Sequence, residues 1–136
     1  AARILELQRT AGNAAVTTIL PVQDLDRARA FYETKLGLTP KGALPNGQFL
    51  FDTGTRSALA LFQKPDAKPS ETTALSFEVT DIMDAVGDLE RRGVRFEDYD
   101  LPNLKTVDHV CVLGAEKAAW FKDTEGNFLC IHEDLA

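Results

Sequence analysis

Two stretches of this chain switch from a two-residue to a three-and-four-residue hydrophobic period in the same way. Residues 17–37 read TTILPVQDLDRARAFYETKLG and residues 74–93 read ALSFEVTDIMDAVGDLERRG. With Asp24 set on Asp81, an offset of 57, Val22 falls on Val79, Leu25 on Ile82, Ala28 on Ala85 and Tyr32 on Leu89. Each copy begins with alternation, which sends successive side chains to opposite faces of a strand. An Asp follows, able to accept a hydrogen bond from a backbone N–H in the first turn of a helix. The helical stripes are Leu25, Ala28, Phe31, Tyr32 and Leu36 in the first copy and Ile82, Ala85, Val86 and Leu89 in the second. Gly37 and Gly93 end the helices, because glycine enters the left-handed conformation without a Cβ penalty. The pattern predicts strands at 16–22 and 74–79 and helices at 25–36 and 82–92.

Three short strands are predicted between the copies, at Lys41–Leu44, Gln48–Asp52 and Ala58–Gln63, with turns at Pro45-Asn46-Gly47 and Thr53-Gly54-Thr55. The polar, proline-containing stretch 64–72 (KPDAKPSET) reads as a linker. Three more strands fit Val107–Leu113, Lys117–Lys122 and Asn127–His132, the last pair joined by the turn Asp123-Thr124-Glu125-Gly126. Both halves therefore read β-α-β-β-β, an α+β arrangement with one helix laid across each sheet. Such a duplication places two half-sites around a shared cleft, where ligands bind. Module one spans about 16–63 and module two about 73–134, within one domain of residues 16–136. Residues 1–15 have no counterpart in the second half. Their apolar Ile4, Leu5 and Leu7 predict a short helix over 2–11, stopped by Gly12-Asn13. The segment YDLPNLKTV (99–107), with a turn at Pro102-Asn103, is expected to fold over the cleft as a rim.

A length of 136 residues, with 44% apolar and 26% charged positions, is that of one ordinary globular domain. The net charge is −6 and no basic run exceeds Arg91-Arg92, which argues against nucleic acid or an anionic membrane as partner. No apolar stretch approaches the ~18 residues of a membrane span, and no signal-peptide pattern opens the chain. The chain opens on Ala, which implies a processed or truncated start. Cys111 and Cys130 lie in apolar strand-like runs and read as reduced, buried thiols of a cytoplasmic protein, with a disulfide as the alternative. No paired-cysteine zinc motif is present.

The element order, together with DLDRARAFYETKLGL (24–38) and WFKDTEGNFL (120–129), resembles the vicinal oxygen chelate superfamily over about residues 16–134. This is the glyoxalase, bleomycin-resistance and extradiol-dioxygenase group. The resemblance implies two βαβββ modules forming a cupped, half-barrel-like mixed sheet, commonly closed by dimerisation. It also implies one divalent metal held by a residue from the first and last strand of each module. The first-strand positions, seven residues before each capping Asp, hold Thr17 and Ala74; the last-strand positions hold Ala60 and Cys130. Two methyl groups, a neutral hydroxyl and one thiol do not supply the three or so ligands of a catalytic divalent site. No metal or other cofactor is therefore expected.

If those positions mark the cleft, alternation lines it with Thr17, Ile19, Ala58, Ala60, Phe62, Ala74, Ser76, Glu78, Phe128, Cys130 and His132. Leu59, Leu61, Leu75, Phe77, Leu129 and Ile131 then pack under the helices. Phe49, Phe51 and Trp120 are added as stacking surfaces. His132 reads either as a strand residue at the surface or as a hydrogen-bonding or basic group, and Glu78 as a carboxylate at the cleft mouth or a solvated edge residue. Cys130 would be a nucleophile only with its pKa lowered, and His109 reads as a surface residue.

The expected function is metal-independent binding of a small apolar or aromatic molecule, of the sequestration or resistance type, by a homodimer with two clefts. The alternative is an enzyme of the lyase, isomerase or dioxygenase type. It would use an atypical metal set from Cys130, His132, His109 or Glu78, or metal-free acid–base chemistry. The segment LQRTAGNAAV (7–16) is similar to short segments of bacterial proteins linked to contractile injection systems, which implies protein docking through residues 1–15.

Overall fold

The structure is a computed structural model that describes residues 6–7, 16–54 and 56–135. Strand β1 is Glu6–Leu7 and β2 is Val16–Val22; α1, Leu25–Ala30, runs on as a π-helical turn over Phe31–Lys35. Strands β3 (Thr39–Ala43), β4 (Phe49–Gly54) and β5 (Ser57–Gln63) complete the first half. The second half holds β6 (Thr73–Glu78), α2 (Ile82–Arg91), the hairpin β7 (Asp100–Leu101) and β8 (Leu104–Lys105), then β9 (Cys111–Leu113), β10 (Glu116–Lys122) and β11 (Phe128–Asp134).

Both halves wind their sheets alike. The orders are β2-β5-β4-β3 and β6-β11-β10-β9, and in each the first strand lies parallel to the last. β1 adds to the free edge of β6 with Glu6 opposite Glu78 and Leu7 opposite Phe77. Those two residues are extended where a helix was expected; the rest of that segment lies outside the described residues. Pro40, which cannot donate to a ladder, sits in edge strand β3.

Asp24 and Asp81 hold extended backbones and accept from Arg27 N at 3.0 Å and Asp84 N at 3.1 Å, so both helices start at the expected caps. Gly37 (φ +71°) and Gly93 (φ +93°) end them. The two helix ends meet: a Cβ on Gly37 would lie 2.9 Å from Arg92 Nη1, and one on Gly93 2.9 Å from Lys35 Nζ. Each cation thus lies at the carbonyl end of the other helix, where the macrodipole favours it, and Arg92 Nη1 donates to Lys35 O at 3.2 Å.

The helical stripes and the inward strand positions merge into one core that spans both halves. Leu20, Val22, Leu59, Leu61, Leu75, Phe77, Phe121, Leu129 and Ile131 face Ala28, Phe31, Tyr32, Ile82, Ala85, Val86 and Leu89. Each fully buried large side chain contributes roughly 1.5–3 kcal/mol. Phe49 and Phe51 belong to this core as well. They stand opposite Leu61 and Leu59, on the helix-side face of the sheet, and Tyr32 and Phe51 are 6.2 Å apart between centroids. The expectation that they line the cleft is therefore corrected.

Candidate functional site

Strand register defines what the other face of each sheet presents. Across β10, β11 and β6 the rungs are Trp120–Cys130–Ser76 and Ala118–His132–Glu78, and Cys111 of β9 stands beside Ala118. Trp120, whose face the sequence left open, thus shares this surface with Cys130. Ala118, Cys111, Cys130 and His132 are buried without joining the helix-side core. In the first half Thr17 stands beside Ala58 and Ile19 beside Ala60, with Phe62 on the same face; Ile19 is 54% exposed and Ala60 is buried.

Ala74 departs from this pattern. The β6–β11 register skips it, pairing Phe128 with Thr73 and Leu129 with Leu75. A bulge re-aims its neighbours, and here Ala74 packs against the core cluster while the Thr73 hydroxyl accepts from Trp120 Nε1 at 3.2 Å. Thr73, one residue before the predicted strand, thus stands beside Trp120 on this face, where alternation from Ala74 does not place it.

Polar contacts on this face are few and specific. Ser76 Oγ and His132 Nδ1 share a hydrogen bond of 2.6 Å, and His132 is only 7% exposed. Burial pushes the Cys130 thiol up to about 11, against the lowering effect of the Ser76 hydroxyl, so it is a thiol at neutral pH and a poor nucleophile. Both cysteines are free and buried. Tyr99, at the base of the β7–β8 hairpin, packs edge-on against Trp120 with centroids 5.8 Å apart. The 99–107 segment therefore reaches the aromatic end of this face through Tyr99, although no signal in the sequence pairs Tyr99 with Trp120.

The donor set does not fit a divalent metal. The four positions that the resemblance marks hold Thr17, Ala60, Ala74 and Cys130. Among the described residues no group of three His, Cys, Asp or Glu side chains converges as a ligand set. His109 instead meets Glu90 of α2 and Asp98. It lies in a turn rather than a strand, stacked on Phe96 with centroids 5.9 Å apart. A groove of about 480 Å³ lined by Phe31, the 93–97 segment and Lys122 contains none of the candidate residues. No helix among the described residues is long and apolar enough to cross a membrane.

The comparisons with known proteins agree with this architecture. The family model described as the Glyoxalase/Bleomycin resistance protein/Dioxygenase superfamily matches residues 14–131. Among curated proteins none matches. Of the similar solved structures, a superfamily member from Sphaerobacter thermophilus DSM 20745 is 24% identical, with 92% of this chain and 100% of that chain covered and a TM-score of 0.68. The lactoylglutathione lyase from Agrobacterium tumefaciens is 22% identical, with coverages of 91% and 96% and a TM-score of 0.64. TnmS3, an antibiotic binding protein from Streptomyces sp. CB03234, is 20% identical, with coverages of 93% and 99% and a TM-score of 0.66. At these identities the similarity shows the fold, and the fold hosts many activities.

Proposed function

The chain belongs to the glyoxalase/bleomycin resistance protein/dioxygenase superfamily, and from that premise we propose that it binds a small planar, apolar or aromatic molecule without a metal. The observation that carries this reading is the content of the four marked positions, which offer methyl groups, a hydroxyl and a thiol where a metal would need charged or imidazole donors. Trp120 and Tyr99 supply an aromatic wall, and Ser76–His132 a hydrogen-bonding anchor beside it. An apolar surface with few converging polar groups suits such a ligand. An antibiotic-binding protein with the same fold is consistent with sequestration.

The test has two parts. Native mass spectrometry, with and without Zn²⁺, Ni²⁺ and Mn²⁺, is expected to show no stoichiometric ion; one tightly held metal per chain would overturn the reading. Proflavine and anthraquinone-2-sulfonate, titrated as planar probes, are expected to quench Trp120. Cys130→Ser and His132→Ala are expected to weaken that binding by about 1–2 kcal/mol.

One contact favours a second reading. The 2.6 Å pair of Ser76 and His132 could serve metal-free acid–base chemistry, in which case His132→Ala abolishes turnover of a substrate rather than weakening its binding modestly. We further infer a homodimer, because β2 ends its sheet without a neighbour beyond β5 among the described residues and Ile19 is exposed beside it. The two free thiols are consistent with a reducing, cytoplasmic location.

A further inference from the structure

His109 occupies a costly position. Val107 and Val110 pair across a two-residue turn in which Asp108 (φ +52°) and His109 (φ +71°) are both left-handed. Such turns favour Asn-Gly or Asp-Gly, and a side chain at the second position raises the cost. The turn puts the imidazole between two carboxylates. Nδ1 lies 2.8 Å from Asp98 Oδ1 and Nε2 lies 3.2 Å from Glu90 Oε2 of α2, while Phe96 stacks beneath. A neutral imidazole has one N–H and would turn a lone pair on a carboxylate oxygen; only the imidazolium donates to both.

Asp98 is joined to the cleft rim by short steps. Thr106 Oγ1 lies 3.3 Å from Asp98 Oδ1 and accepts from Tyr99 N at 2.9 Å, and Thr106 N donates to Tyr99 O at 2.9 Å. These bonds close the base of the β7–β8 hairpin, and the Tyr99 ring rests on Trp120. We propose that His109 is a proton-operated clasp: as imidazolium it ties α2 to the base of the hairpin and holds Tyr99 on Trp120, and on losing its proton it releases the rim.

The charged groups that meet the ring are Glu90 from α2 and Asp98 from the segment after Phe96, with Asp108 preceding it in the turn. The hydrogen bond to Asp98 is the largest influence raising the His109 pKa above its ordinary 6.5; burial opposes it, and the charges of Asp98 and Glu90 add to it. A raised folded value means that the clasp is complete below pH 6.5 and is lost only as pH rises through the higher folded pKa. Both carboxylates are substantially exposed, so the effect weakens with added salt. Because Trp120 is part of the ligand surface proposed above, ligand binding and His109 protonation would then be linked reciprocally.

The test needs no ligand, so its failure is separate from failure of the binding reading. The chain has two histidines, which makes both imidazoles assignable by NMR with one variant each. Trp120 emission in the unliganded protein is expected to change between pH 5.5 and 8.5, in a range chosen to bracket the ordinary histidine value, with the midpoint of the His109 titration. His109→Gly relaxes the turn and is expected to abolish the change, whereas His132→Gln is expected to keep it. Tyr99→Leu is expected to abolish the emission change while His109 still titrates. Emission that stays flat through the His109 midpoint, or that changes equally in His109→Gly or Tyr99→Leu, would overturn the clasp.

Discussion

Asp123 shows how one residue's role can be half visible in a sequence. Its position in DTEGN marks a turn, and its Oδ1 accepts from Glu125 N at 2.8 Å and Asn127 N at 2.9 Å as a local reading expects. Its other oxygen accepts from Asn127 Nδ2 at 3.1 Å and from the Tyr32 hydroxyl, 91 residues away, at 2.7 Å. Nothing local announces that last partner. Burial foremost, and then the Asp123 charge, raise the Tyr32 pKa well above 10, so the phenol stays a donor. Tyr32→Phe removes a buried bond to a carboxylate and is expected to cost about 1.5–3 kcal/mol. The measurement is urea unfolding, with a lower midpoint at an unchanged slope. Cys130 is the contrary case. Its burial in an apolar run was readable, and burial is the cause of its unreactive thiol.

At the scale of elements, the two helices differ by one residue. Asp24 stands thirteen residues before Gly37, and Asp81 twelve before Gly93. A π-bulge is the helical form of a one-residue insertion, and α1 carries one over Phe31–Lys35, with Leu36 N donating to Phe31 O at 3.2 Å. The count was in the sequence, but where the extra residue would be absorbed was not, because several turns of α1 could take it. The expected strand at 107–113 likewise begins only at Cys111, the preceding residues forming the turn that bears His109. The bonds from Arg27 N to Asp24 and from Asp84 N to Asp81 were local and therefore legible. Asp81→Ala is expected to destabilise the protein by ~1 kcal/mol, measured as a lower unfolding midpoint. The loss is softened because Glu133 Oε1 still accepts from Ile82 N.

Over the whole molecule, the halves are joined where α1 begins. Arg27 Nε and Nη2 donate to Glu125 at 2.8 and 2.9 Å, and Asp24 N donates to the same carboxylate at 3.0 Å. The Arg27 hydrogen bond is the largest influence holding Glu125 below its ordinary 4.5, with burial opposing it. A depressed folded value means that this contribution is present above about pH 4.5 and is lost as pH falls through the folded value. Arg27 is half exposed, so the gain is modest and screened by salt. Glu125→Gln is expected to lower Tm at pH 7 and to flatten its fall between pH 5 and 3, by the same linkage. A thermal melt series over that range checks it; an unchanged acid slope would remove the Arg27–Glu125 pair as a source of acid sensitivity.

By itself the sequence determined the duplicated βαβββ order, the helix caps and stops, and the packing of Leu59, Leu61, Leu75, Phe77, Leu129 and Ile131 under the helices. All of these depend on interactions within a few residues or on strand and helix periods, and they survive in one dimension. The residues at the four positions that the superfamily resemblance marks, Thr17, Ala60, Ala74 and Cys130, are likewise read from the sequence. The tertiary structure decided the rest. A cross-strand bulge turned Ala74 toward the core and put Thr73 under Trp120, and the pairing of β4 with β5 sent Phe49 and Phe51 under the helices. Contacts such as Ser76 with His132 and Tyr99 with Trp120 join segments whose separation is set by sheet order and loop path. Alternation assigns a residue to a face only after register is known, and register is a property of the paired strands.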